Sequence, residues 1–237
     1  SRTVEKIIIT LGIKKMDNFK FSISENELVA LPSGALWWPS QSLLCVSDLH
    51  FGKSNRLARK GQSWIPPYEN QDTLLRLEKD LKTTKARMII CLGDSFDDNE
   101  GDRFLPKDEI LWIRKMQEGK EWIWISGNHD PSPKALGGSF VQSIEIGKIN
   151  FQHIANTKES YEISGHYHPK IKLRLKGQSF TKACFLIDDN RVIMPAYGTY
   201  TGGLYCNREP LRSIMQTKAI AIMTGKEVYP VPISKAN

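Results

Sequence analysis

The feature that most restricts this chain is a repeated local pattern. An apolar run rich in β-branched or aromatic residues stops at a short polar segment bearing a carboxylate, an amide or an imidazole. "SLLCV" leads into "SDLH" at 47–50, "RMIICL" into "GDSFDD" at 93–98, "EWIWI" into "SGNHD" at 126–130 and "YEI" into "SGHYH" at 164–168. Such runs, bounded by Gly, Asn or Asp, read as strands. Between the first three lie helical periodicities. Leu74, Leu77 and Leu81 share one face of a helix predicted at 69–84, and Ile110, Ile113 and Met116 mark a second at 106–118, with Pro106 at its start. Strand, helix, strand, helix, strand predicts parallel βαβ pairing. From "SFVQSIEI" onward the runs follow one another closely and predict a second, largely antiparallel set. The expectation is one α/β domain with two packed sheets, whose strand ends bring the polar segments to one rim.

The bulk numbers fit that picture. At 237 residues, with 40% hydrophobic and 25% charged residues, the chain can bury a sizeable core. A net charge of +7 favours acidic partners such as nucleic acid or anionic lipid without choosing between them. The cysteines at 45, 91, 184 and 206 form no CxxC pair, and Cys45 and Cys91 sit inside apolar runs. That pattern predicts free thiols in a reducing, cytoplasmic setting. No stretch is long and apolar enough to span a bilayer, and the N-terminal run lacks the small-residue cleavage pattern of a signal peptide. "MDNFKF" at 16 resembles a natural start, so residues 1–15 are read as an extension and 16–237 as a single domain. Trp37, Trp38, Trp122 and Trp124 lie in strand patterns and are expected to fill the core.

All five histidines, His50, His129, His153, His166 and His168, lie in or beside the strand-end segments, with Asp48, Asp94, Asn128 and Asp130. Each piece alone is what any surface turn could hold; their concentration is not. Imidazole and carboxylate with an amide oxygen suit zinc, manganese or iron, and the lack of clustered cysteine argues against a structural zinc knot. A carboxylate able to bridge suggests two ions, which together can clamp a phosphoryl group and acidify a water.

The ordered set D-x-H, G-D, G-N-H-D, H and G-H-x-H resembles the calcineurin-like metallophosphoesterase superfamily. "DLHFGKSNRLARKG", "HYHPKIKLR" and "MPAYGTYTGG" further resemble its bacterial DNA-ligase-associated branch. The resemblance implies a four-layer α/β/β/α sandwich of two mixed sheets flanked by helices. It implies that Asp48, His50 and His168 hold one divalent cation, that Asn128, His153 and His166 hold a second, and that Asp94 bridges them. His129 would contact the phosphate and assist the leaving group, with Asp130 orienting it. Manganese is the ion the branch suggests, with iron or zinc as alternatives. The implied activity is hydrolysis of phosphodiesters, in single-stranded DNA during repair, beside a DNA ligase and a helicase. A phosphatase, phosphodiesterase or pyrophosphatase acting on a small nucleotide or ester is the alternative. A non-catalytic scaffold is the third reading, which the complete set of motif residues disfavours. Two positions depart from the branch: Asp97 stands where it often has a histidine, and "HIA" follows where it tends to carry "HEP".

Cations flank the motifs. Lys170, Lys172, Arg174 and Lys176 alternate with Ile171, Leu173 and Leu175, so a strand would put all four on one face. That face could track a phosphate backbone, or be the solvated side of an edge strand. Lys53, Arg56, Arg59 and Lys60 follow the first motif at near-helical spacing and are candidates for the same groove. Asp97 is a further candidate for substrate contact. "YGTYTGG" at 197–203 reads as a tight turn of small residues.

Overall fold

In the computed structural model the described residues are 8, 10–54, 57, 61, 68–97, 105–128, 135–156, 161–199 and 201–236. They form two mixed β-sheets. The first has the order β1 (Phe19–Ile23), β2 (Asn26–Ala30), β3 (Leu36–Trp38), β4 (Leu43–Val46), β5 (Met88–Leu92), β6 (Glu121–Ile125), β7 (Ser139–Val141). Its strands are antiparallel up to β4 and parallel from β4 to β7. The second sheet contains β8 (Ser143–Ile146), β9 (Ile149–Gln152), β10 (Glu162–Ser164), β11 (Lys170–Leu175), β12 (Gln178–Ile187), β13 (Arg191–Ile193), β14 (Ile220–Met223) and β15 (Tyr229–Pro232). Its order is β15-β14-β12-β13-β10-β9-β8, with β11 paired to β12. This sheet is less uniformly antiparallel than its closely spaced runs predict, because β10 lies parallel to both β9 and β13.

The parallel strands explain why their sequences are apolar without alternation. Leu43, Cys45, Ile90, Leu92, Ile123 and Ile125 face the second sheet, where they meet Phe151, Ile163, Phe185 and Met194. Their neighbours Leu44, Val46, Ile89, Cys91, Trp122 and Trp124 face the other way, onto Leu74, Leu77, Leu81, Ile113 and Met116. The latter belong to α1 (Glu69–Thr84) and α2 (Lys107–Gln117), where the periodicity puts them. A strand covered on both faces has no polar side to show. Trp38, Trp122 and Trp124 are buried and Trp37 packs partly buried against the helix-side core. All four cysteines are free and buried.

The outer face of the second sheet is covered differently. Ile171, Leu173, Cys184, Leu186, Ala221 and Met223 pack against Leu211 and Met215 around the single-turn α3 (Leu211–Ile214), and against Ile8 and Ile13. Periodicity cannot announce a helix of one turn, and α3 is absent from the sequence reading. The run "SFVQSIEI" is two strands rather than one. The chain leaves the first sheet after Val141 and enters the second at Ser143, so β7 and β8 bind different partners. No described helix is long and apolar enough to cross a membrane.

Within residues 1–15, read as an extension, Ile8 and Ile13 are 5% and 8% exposed in the outer cluster. Removing residues 1–15 is expected to leave a folded chain whose unfolding free energy is lower by about 3–6 kcal/mol, at ~1.5–3 kcal/mol per buried isoleucine. Urea denaturation of the two chains measures the difference.

Candidate active site

The parallel strands β4, β5 and β6 end at one rim of the first sheet, and the parallel pair β9 and β10 ends at the facing rim of the second. Each motif begins where its strand stops. The loop after β4 lies along the loop after β5: the Asp48 N–H donates to the Gly93 carbonyl at 3.2 Å, His50 N–H to the Asp94 carbonyl at 3.0 Å, and Phe51 N–H to the Ser95 carbonyl at 2.9 Å. The Tyr197 and Gly198 N–H groups close the other side by donating to the carbonyls of Ser47 and Asp48 at 2.7 and 3.0 Å. That contact gives "YGTYTGG" a job beyond the turn expected of it.

Two groups of side chains result. Asp48, His50 and His168 offer ligand atoms within 4.8 Å of one another, and so do Asp94, His153 and His166. In the first group Asp48 Oδ1 lies 3.0 Å from His168 Nε2, and the Nε2 atoms of His50 and His168 are 3.3 Å apart. In the second, His153 Nε2 lies 3.4 Å from Asp94 Oδ2 and 3.2 Å from His166 Nδ1. The Asn128 side-chain amide is 3.3 Å from His166 Nδ1, and the Asn128 backbone N–H donates to Asp94 Oδ1 at 3.0 Å. Asp48 joins the groups: its Oδ2 accepts the Ser47 hydroxyl at 2.5 Å and the His166 N–H at 3.0 Å.

These atoms fit cations better than they fit one another. Asp48 Oδ1 is fully buried and makes no hydrogen bond within the protein, although His168 is beside it. His50 Nδ1 faces Asp97 Oδ1 at 3.2 Å and His153 Nδ1 faces the Leu92 carbonyl at 2.8 Å. Both acceptors require a proton on Nδ1, which leaves the Nε2 lone pair of a neutral ring pointing into its group. Acceptors of this kind behind a metal-ligating histidine set its tautomer and orientation.

The electrostatics agree. Burial alone would raise the pKa of Asp48, but the closeness of the His168 ring and the charges of His168, His153 and His50 outweigh it and hold the carboxyl below its ordinary range. Burial likewise opposes ionisation of Asp94, and its bond to His153 still brings it down to about 2. Burial would lower His153, but the bond to Asp94 and the charges of Asp48 and Asp94 lift it to about 9. His166 is pushed down, by burial first and by the neighbouring His153 second.

Backbone shape matters as much as residue type. Asp48, His50, Asp94, His166 and His168 all have positive φ, from 44° to 70°. Each left-handed non-glycine residue costs about 1–2 kcal/mol, and such strain persists where the surroundings over-determine it. His166 and His168 lie just beyond β10, each with left-handed backbone, and they serve different groups, the division the resemblance implies. Gly165 and Gly127 allow the close approach: a Cβ on the first would overlap the Ser47 hydroxyl, and one on the second would overlap the Asp94 carboxylate.

The structure therefore brings together Asp48, His50, Asp94, Asn128, His153, His166 and His168. His129, Asp130, Arg56, Arg59 and Lys60 lie outside the described residues. Lys53 sits half-buried in the turn after the first motif, which α1 pins through Asn70 Oδ1 to the Gly52 N–H at 3.0 Å and Glu69 Oε1 to the Ser54 N–H at 2.7 Å. Asp97, a candidate for substrate contact, has a side chain only 10% exposed and turned onto His50. Lys170, Lys172 and Arg174 lie on β11, which leaves directly from His168. Ser47 was not foreseen, since nothing in a serine before an aspartate marks it as that aspartate's donor.

Residues 42–216 match the family described as calcineurin-like phosphoesterase. The chain belongs to that family. Its members bind two divalent metals, which the two ligand groups here can accommodate, and the chain is a metal-dependent phosphoester hydrolase. The solved nuclease MPE of Pseudomonas putida is similar in fold, with a TM-score of 0.73 and 24% identity over 90% of this chain and 100% of that one. Yfce, a phosphoesterase from E. coli, aligns over 82% of this chain and 94% of its own at 13% identity, with a TM-score of 0.39. No curated protein matches the chain.

Replacing Asp97 with alanine is expected to weaken divalent-cation binding by about 10–100-fold, read by isothermal titration calorimetry, while Asp97→Asn, which keeps an acceptor for the His50 N–H, loses less. A cation must also displace the His153 proton, so affinity should rise by roughly tenfold per pH unit between neutrality and about 9, then level off. In the metal-free protein the same raised pKa stabilises the fold below the ordinary histidine range and ceases to do so as pH rises through about 9.

Proposed function

We propose that this enzyme is a manganese-dependent phosphodiesterase of the DNA-ligase-associated branch, cutting single-stranded DNA during repair. The observation that carries the reading is the pair of three-residue groups, Asp48–His50–His168 and Asp94–His153–His166, linked through Asp48. The nuclease fold relative and the cationic strand leaving the site support a nucleic-acid substrate.

The roles follow from the atoms. Asp48, His50 and His168 would hold one cation, and Asn128, His153 and His166 the other, with the amide of Asn128 turned to present its oxygen. Asp94, whose carboxylate lies beside His153, would bridge the two. Two bound divalent ions supply Lewis acidity towards the phosphoryl oxygens and acidify a water at neutral pH. Asp97 and the Leu92 carbonyl hold His50 and His153 in the tautomer that presents Nε2. Ser47 and the His166 N–H fix Asp48, so its free oxygen faces the first group. The glycines at 127 and 165 let these loops approach the Asp94 and Ser47 side chains closely. His129 would donate a proton to the departing oxygen, with Asp130 orienting the ring. Manganese suits a set of carboxylates, imidazoles and an amide oxygen. A DNA ligase and a helicase are the partners such a nuclease would work beside, in a reducing cytoplasm.

Purified protein with manganese should nick a single-stranded circular DNA, and turn over nitrophenyl phosphate monoesters, cyclic nucleotides and dinucleoside pyrophosphates more slowly. Rapid turnover of the small esters with intact circles would assign the site to a small phosphoester instead. A His129→Ala chain that retained full turnover would remove the proton-donor role.

A further inference from the structure

β11 and the first half of β12 form a hairpin closed by Lys176 and Gly177, whose φ values of 47° and 77° fit a two-residue turn with both centres left-handed. Directly paired residues share a face. One face carries Lys170, Lys172 and Arg174 opposite Ala183, Thr181 and Ser179. The other carries Ile171 and Leu173, which are buried in the outer cluster. The cationic face has no carboxylate among its cross-strand partners, and Lys172 and Arg174 make no ion pair with any described residue. Lys170 is tied to the Thr201 carbonyl at 3.0 Å. Like charges on alternate residues stand about 6.6 Å apart along a strand, and they repel. Edge protection would be served by a single lysine; a row on one face is served by an anion that runs along it.

The inner end of this row is two residues from His168. There the segment around Tyr205 pairs with the start of β11 through a parallel bridge, Lys170↔Tyr205, so Tyr205 shares the cationic face. Tyr205 is 39% exposed. We infer that this hairpin face is a binding lane for a single-stranded nucleic-acid backbone, with phosphates on Lys172 and Arg174 and a base stacked on Tyr205 as the strand approaches the metal centre. The inference rests on the nucleic-acid reading above and locates its substrate. A phosphate row with an aromatic platform is what a sequence-tolerant single-strand site needs.

The test is fluorescence anisotropy with the manganese-loaded full chain and a labelled phosphorothioate oligothymidylate, which resists hydrolysis and keeps its charge. The Lys172→Gln/Arg174→Gln chain should bind at least tenfold more weakly at low salt, with the slope of log affinity against log salt flattened by about 1.4, from two contacts at ~0.7 each. Tyr205→Ala should bind roughly 5- to 100-fold more weakly with the parental slope. Lys182→Gln removes one charge from the opposite face of the same hairpin and should change neither. The charge-keeping Lys172→Arg/Arg174→Lys exchange should bind like the parent. A parental slope in the double glutamine variant, an equal slope change in Lys182→Gln, or weak binding by the charge-keeping exchange would overturn the lane. Cleavage of unmodified oligonucleotide by the parent is scored separately, so loss of the nuclease reading and loss of the lane are told apart.

Discussion

Asp48 is a carboxylate with no exposure, at the seam where the rims of the two sheets meet. A buried, ionised acid is costly unless charge and hydrogen bonds surround it. Here the Ser47 hydroxyl comes from its own loop, the His166 N–H from the opposite sheet, and His168 approaches its other oxygen. The last of these is incomplete, because that oxygen makes no hydrogen bond. The carboxylate thus ties the rims together while leaving one lone-pair direction turned inward. The positive-φ backbone on either side, the glycines at 127 and 165, and the acceptors behind His50 and His153 can all be understood as what it takes to hold such a site in place.

That arrangement explains why the strands must be parallel where they are. Parallel neighbours end at the same rim, so β4, β5, β6, β9 and β10 deliver their following residues to one region. Burial of both faces of β4 to β6 supplies a rigid base for loops that are themselves strained. The same layering sends β11 outward from His168, with its apolar face packed on the outer cluster and its cationic face left outside.

Much of this was legible. Continuous apolar runs ending in polar segments, and the leucine spacing of α1, follow from local rules of burial and periodicity. So the two sheets, both long helices and the set of motif residues could be read before any coordinates. Other features were not. Gln142 looks like any strand residue, yet it is where the chain changes sheet. Asp97 looks like a loop acid, and its contact with His50 depends on two loops distant in sequence lying side by side. The left-handed backbone of His166 and His168 is likewise invisible in the sequence, because nothing local to two histidines two apart requires it.

By itself the sequence determined the kinds of ligand atom, their order along the chain and the strands that carry them, because residue chemistry and periodicity are local properties. Only the tertiary structure decided how closely the ligands of each group approach, which tautomer each histidine presents, and that Asp48 spans the two rims. Those outcomes depend on the distances between loops from different sheets, and such distances are set by the packing of the whole sandwich rather than by any one segment.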